Sequence, residues 1–138
     1  MIRKIDHIGI AVQAVEEHIP FYRDVLGLKF VGKEEVQDQK VKVAMFRAGD
    51  VQIELLEPTS PESPIAKYLE KKGEGIHHIA YQSDGIDNEI KRFQESRVQM
   101  IDEKPRNGAH GSRIAFIHPK SSGKVLTEIC EVKGEFHD

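Results

Sequence analysis

The alternation of apolar and polar positions divides the chain into short elements. "IDHIGIAV" (5–12) predicts a strand rich in β-branched residues. In "AVEEHIPFYRDVLG" (14–27), Val15, Ile19, Phe21, Tyr22, Val25 and Leu26 recur near helical spacing, and Gly27 marks the helix end. "LKFVGKEEV" (28–36) predicts a strand. "QKVKVAMFRAG" (39–49) and "DVQIELLEP" (50–58) predict a hairpin turning at Gly49-Asp50. "TSPESPIAKYLEKKGEG" (59–75) predicts a linker with a short helix, Pro in its first turn and Gly at its end.

From residue 76 the order starts again. "IHHIAYQS" predicts a strand, and "GIDNEIKRFQESRV" (85–98) a helix amphipathic through Ile86, Ile90 and Phe93. "VQMIDEKP" predicts a strand, and "SRIAFIHP" (112–119) with "GKVLTEICEV" (123–132) a second hairpin. Each half is strand, helix, three strands: module 1 over about 2–58, the linker helix in 59–75, and module 2 over about 76–132. This internal repeat predicts one α+β domain of mixed, mostly antiparallel strands with helices outside.

The repeat aligns particular residues. "DHIGIAV" lies over "HHIAYQS" when His7 matches His78, an offset of 78 − 7 = 71. "VQIELLE" lies over "VLTEICE" when Glu54 matches Glu128, an offset of 128 − 54 = 74. A few residues gained in the loops account for the difference. Period-two geometry then sorts the faces. His7 shares a face with Gly9 and Ala11, while Ile8, Ile10 and Val12 take the other, where helices pack. His78 goes with Ala80 and Gln82; His77 goes with Ile79 and Tyr81, toward a helix or an interface. Glu54, between Ile53 and Leu55, and Glu128, between Thr127 and Ile129, face away from the helix-packed core. Each half thus offers one His and one Glu on its small-residue face. Two imidazoles and two carboxylates suit a borderline divalent cation such as Co²⁺, Ni²⁺, Zn²⁺, Mn²⁺ or Fe²⁺, with open positions for water or substrate.

Composition changes this picture little. The chain has 138 residues, 31% charged and 38% apolar, with a net charge of −3. That balance excludes a broad nucleic-acid surface. No apolar run approaches the roughly 20 residues of a membrane helix. "MIRKIDHIGIAV" lacks signal-peptide architecture. With Cys130 the only cysteine, no intrachain disulfide is possible, and a cytoplasmic location is expected. Cys130 reads as a small buried residue, His18 and His137 as exposed, and "KEEVQDQK" (33–40) as a solvated edge.

"DHIGIAV", "IELLEP", "SPIAKYLEKKGEGIHHIAY" and "PRNGAHGSRIAFIHPKSSGKVLTEI" together resemble the vicinal oxygen chelate superfamily, and within it the methylmalonyl-CoA epimerases, from about residue 5 to 132. "HIGIAV" is general to the superfamily; "GIHHIAY" with "GAHG" and "IAFIHPKS" is more specific to the epimerases. The resemblance implies paired βαβββ modules around a metal-holding cleft, with His7, His78 and Glu128 as ligands and Glu54 where a fourth ligand stands. It implies a small acyl-CoA substrate, a divalent cation with Co²⁺ favoured, and a homodimer. Some epimerases carry a second basic glutamate in the third strand; Val43 occupies that position here.

Epimerisation removes the C2 proton of methylmalonyl-CoA through an enolate and returns one to the opposite face. Glu128 and Glu54 are the candidates for the two faces. Arg106, Arg113, Lys120 and Lys124 are candidates for the CoA phosphates or the free carboxylate. His110 and His118 read as loop-shaping or near-substrate residues, and Gly108 and Gly111 as sources of backbone freedom. Rival readings are glyoxalase I, whose metal set is the same, and a non-enzymatic binder such as a bleomycin-sequestering protein. Four intact ligands argue against the binder. A dioxygenase would use two His and one Glu, one Glu fewer than here.

Overall fold

A computed structural model describes residues 1–132, the His110 side chain excepted. It groups them into two units: His7–His77, and Met1–Asp6 with the chain from His78 onward. Strand β1 (Ile2–Ala11) begins in the latter and ends in the former.

In the His7–His77 unit, β1 leads into α1 (Val15–Pro20), β2 (Lys29–Val36), β3 (Val41–Ala48), β4 (Val51–Pro58) and α2 (Pro64–Lys72). The strands lie in the order β2-β3-β4-β1, with β3 antiparallel to both neighbours and β1 parallel to β4. Val12, Val15, Ile19, Ala44, Phe46 and Leu55 form the core beneath α1, joined by Ile10, Phe30 and Ile53. Alternate residues of the same strands, His7, Gly9, Val43, Met45 and Glu54, therefore lie on the opposite face. The expected single helix over 14–27 is broken. Pro20 has no N–H and its ring crowds the preceding turn, so Phe21–Val25 widens into a π turn closed by the Leu26 N–H on the Phe21 carbonyl (2.8 Å). The Ser63 hydroxyl caps α2 by accepting the Ile65 N–H (3.1 Å).

In the other unit, β5 (Gly75–Ser83), whose first three residues still belong to the His7–His77 unit, leads into α3 (Ile86–Glu95), β6 (Arg106–Asn107), β7 (Arg113–Ile117) and β8 (Thr127–Glu131). The order is β5-β8-β7-β6, with β1 beside β5. Ile86, Ile90, Ala115, Ile117 and Ile129 form the core under α3, with Ile2 and Tyr81 against it. Ile114, Phe116 and Cys130 cluster on the other face.

The strand expected over 98–105 does not form; a single bridge joins Met100 to Ile117. The N–H groups of Ile101 and Asp102 both donate to the Phe116 carbonyl (2.8 and 3.3 Å), and the Asp102 carboxylate accepts the Phe116 N–H (2.9 Å). A side chain thus takes the place of a strand partner, and regular pairing resumes only at Arg106.

The repeat also reaches the helix starts. Ala14 and Gly85, which precede α1 and α3, supply no side-chain cap. Instead Glu57 accepts the Val15 N–H and Glu131 accepts the Ile86 N–H, each at 2.9 Å. A negative group at a helix N-terminus satisfies an orphan donor and favours the dipole.

Candidate metal centre

Each unit holds one buried His–Glu pair on the face away from its helix. In the His7–His77 unit, β1 and β4 run parallel with Gly9 opposite Glu54, which brings His7 Nε2 to 3.6 Å from Glu54 Oε1. In the other unit, β5 and β8 repeat this pairing with Ala80 opposite Glu128, and His78 Nε2 lies 3.1 Å from Glu128 Oε1. All four residues are at most 7% exposed. Burying a carboxylate is costly unless a positive partner compensates it. Imidazole nitrogen and carboxylate oxygen in each pair form a donor set that fits a divalent cation.

The surroundings of the two pairs differ. Met45 stands cross-strand from Glu54, and Phe116 from Glu128. The Phe116 ring meets the His78 ring edge-on, with centroids 5.6 Å apart. The Arg106 guanidinium lies over the Phe116 ring, 5.4 Å from its centroid, with its Nε 3.3 Å from Asp102. Cys130, 1% exposed, lies two residues along the same face as Glu128 and packs with Phe116.

Of the other expected substrate contacts, Arg113 lies on the helix side and Lys120 lies in a surface turn. Arg113 shares the α3-packed face with Ala115, and Asp87 (2.8 Å) and Glu131 (3.5 Å) hold its guanidinium. These two carboxylates raise its pKa further, the Asp87 hydrogen bond contributing most. Lys120 is exposed, and its N–H donates to His118 Nδ1 (3.0 Å), so His118 shapes the turn at Pro119–Ser121. His77 packs edge-on against Tyr68 of α2, with centroids 5.1 Å apart. His18 is half-buried rather than exposed, because Glu74 holds its Nε2 at 3.0 Å. Gly111 has φ +69°, whereas Gly108 serves close packing: a Cβ there would meet Ile114 at 2.7 Å. The His110 side chain and His137 lie outside what the structure describes.

Residues 6–116 match the model of the Glyoxalase/Bleomycin resistance protein/Dioxygenase superfamily, and the chain belongs to that family. The more particular likeness is to methylmalonyl-CoA epimerases. The chain is 35% identical over 134 residues to the ethylmalonyl-CoA/methylmalonyl-CoA epimerase of Cereibacter sphaeroides, covering 96% of this chain and 100% of that protein. It is similar to the structure of a Streptomyces coelicolor methylmalonyl-CoA epimerase variant in complex with 2-nitronate-propionyl-CoA, with TM-score 0.93 and 36% identity over 97% of each chain. It is 46% identical over 137 residues to the uncharacterized protein YqjC of Bacillus subtilis, covering 99% of this chain and 98% of that one. The glyoxalase-like fold implied by the family resemblance is thus the fold of the epimerase structures. Among the described residues no helix is long and apolar enough to cross a membrane.

Proposed function

We propose that this protein is a metal-dependent methylmalonyl-CoA epimerase in which His7, Glu54, His78 and Glu128 hold one divalent cation. The observation carrying this reading is the duplication of a buried His–Glu pair, with the same imidazole nitrogen turned to the carboxylate in both units. When bound, the cation would supply Lewis-acid stabilisation of the enolate formed on proton loss from C2. Glu128 exchanges the proton on one face of C2. A carboxylate of the His7–His77 unit, Glu54 by the repeat, serves the other. Met45, Val43 and Phe116, all at most 7% exposed, keep water from the carboxylates. Arg106 draws an anionic group of the acyl-CoA toward the Phe116 side. Cobalt as the cation and a cytoplasmic homodimer belong to the same reading.

The test is isotope exchange. Metal-stripped protein is reloaded with Co²⁺ and given one epimer of methylmalonyl-CoA in D₂O, with methylglyoxal and glutathione in a parallel cuvette. Metal-dependent deuteration at C2 with loss of chirality is expected. Turnover only in the parallel cuvette would assign the glyoxalase I reaction instead, and silence in both would favour a binding protein.

A further inference from the structure

Inversion at C2 needs a proton-exchanging group on each face, and two carboxylates both held as ligands would give two weakened bases, so a second group that is not a ligand is sought. Besides Glu54, one other carboxylate of the His7–His77 unit lies on the face of the His–Glu pair in strands β1 to β4. Phe30 packs in the α1 core and sits opposite Phe46. A bulge between Phe30 and Gly32 then shifts the register, so Gly32 pairs with Met45, Lys33 with Ala44 and Glu34 with Val43. Lys33 forms an ion pair with Glu16 of α1, which fixes the odd positions of β2 beyond the bulge on the helix side. Glu34, half-buried between exposed Lys33 and Glu35, therefore belongs to the face of Val43, Met45 and Glu54.

The repeat supports this placement independently. Met45 pairs with Glu54 as Phe116 pairs with Glu128, so Val43, two residues before Met45, corresponds to Ile114. Ile114 is paired on its outer side with Arg106, and Val43 with Glu34. Arg106 lies against Phe116, the residue touching His78, so this outer-strand position looks over the paired ligands in its own unit. Cross-strand Cβ atoms are about 5 Å apart, and a glutamate outreaches the valine beside it. Val43 (2% exposed) and Leu56 (5%) give this carboxylate a dry apolar floor.

We infer that Glu34 is the catalytic residue exchanging the C2 proton on the face opposite Glu128, leaving Glu54 to act as a ligand. This rests on the epimerase reading and reassigns one role within it. The C2–H bond breaks, its proton forms an O–H bond on Glu34, and its electron pair moves into the thioester as the enolate. Glu128, in its acid form, then delivers a proton to the other face. The product leaves Glu34 protonated and Glu128 ionised. Glu34 then loses its proton to solvent and Glu128 takes one from solvent, which restores the starting state, and the reverse direction exchanges the two roles.

The test compares wild type, Glu34→Gln, Glu34→Gln with Val43→Glu, and Glu54→Gln, each loaded with Co²⁺ and checked for folding by circular dichroism and for Co²⁺ content. In D₂O, Glu34→Gln is expected to keep its metal, to lose epimerisation at least a hundredfold, and to exchange the C2 hydrogen of only one epimer. Adding Val43→Glu is expected to restore part of the loss, and Glu54→Gln to lower Co²⁺ content. Epimerisation by Glu34→Gln within threefold of wild type would overturn the inference while leaving the epimerase reading intact. An inactive wild type would instead overturn that reading. A Glu34→Gln variant that misfolds, with no recovery from Val43→Glu, would count against the inference too, since an exchange role alone leaves folding unchanged.

Discussion

The two units build the same frame and furnish it oppositely. In both, a His–Glu pair lies on parallel strands, a hydrophobic residue stands cross-strand from the glutamate, and a charged residue occupies the outer strand. In one unit that sequence is Glu54, Met45 and, two residues along, Glu34; in the other it is Glu128, Phe116 and Arg106. The aromatic ring gives Arg106 a surface to lie on and braces His78, whose Nε2 sits at 3.1 Å from its glutamate against 3.6 Å for His7. Met45 offers no such plane. On the proposed reading, the repeat doubles the ligands while specialising the borders, one toward proton exchange and the other toward holding an anion.

The sharpest way to test that division is to compare the two arginines of the Phe116 unit. Arg106→Gln is expected to raise KM for the acyl-CoA about tenfold with little change in kcat, as the loss of one charge-assisted hydrogen bond implies. Arg113→Gln, whose partners are Asp87 and Glu131 on the helix side, is expected to leave KM unchanged. Steady-state kinetics on the two variants decides, and equal effects would erase the contrast.

The helix caps probe the frame that the units share. Glu57→Ala and Glu131→Ala are each expected to cost about 1 kcal/mol in urea unfolding, the usual value of a lost cap. Glu131→Ala is expected to cost more, because it also removes a carboxylate 3.5 Å from Arg113. The reverse order would mean that the interrupted helix α1 depends more on its cap than the regular α3.

The smallest effect expected is a pH dependence confined to one unit. Glu74 accepts the Gln13 N–H (2.8 Å) and a hydrogen bond with His18, which together hold its pKa below the ordinary 4.5, the Gln13 bond contributing most. A depressed carboxylate pKa contributes stability above the unfolded value and loses it as pH falls through the folded one. Unfolding midpoints of wild type and Glu74→Gln should therefore converge as the pH drops below about 4.5.

Much of this was legible in the sequence because period two and an internal repeat are both local signals. His7 and His78 were separable from His77 by parity alone, and the helix-side cores of Ile10, Ile53 and Tyr81 confirm those faces. What the sequence hid depends on register. The bulge at Phe30/Gly32 decides which side Glu34 faces, so "KEEVQDQK" read as a solvated edge. The segment 98–105 has strand composition, but Asp102 bonds β7 through its side chain. Arg106 and Arg113 are alike in sequence, and only their opposite strand faces separate them. The interruption at Pro20 was visible as a residue, but not as a π turn.

The central claim is that the two pairs serve one cation together. Isothermal titration of metal-free protein with Co²⁺ tests it most directly, using wild type, His7→Ala and His78→Ala. One Co²⁺ per chain is expected for wild type, with affinity falling at least tenfold in either variant. Two equivalents per chain, or one variant binding as tightly as wild type, would contradict it.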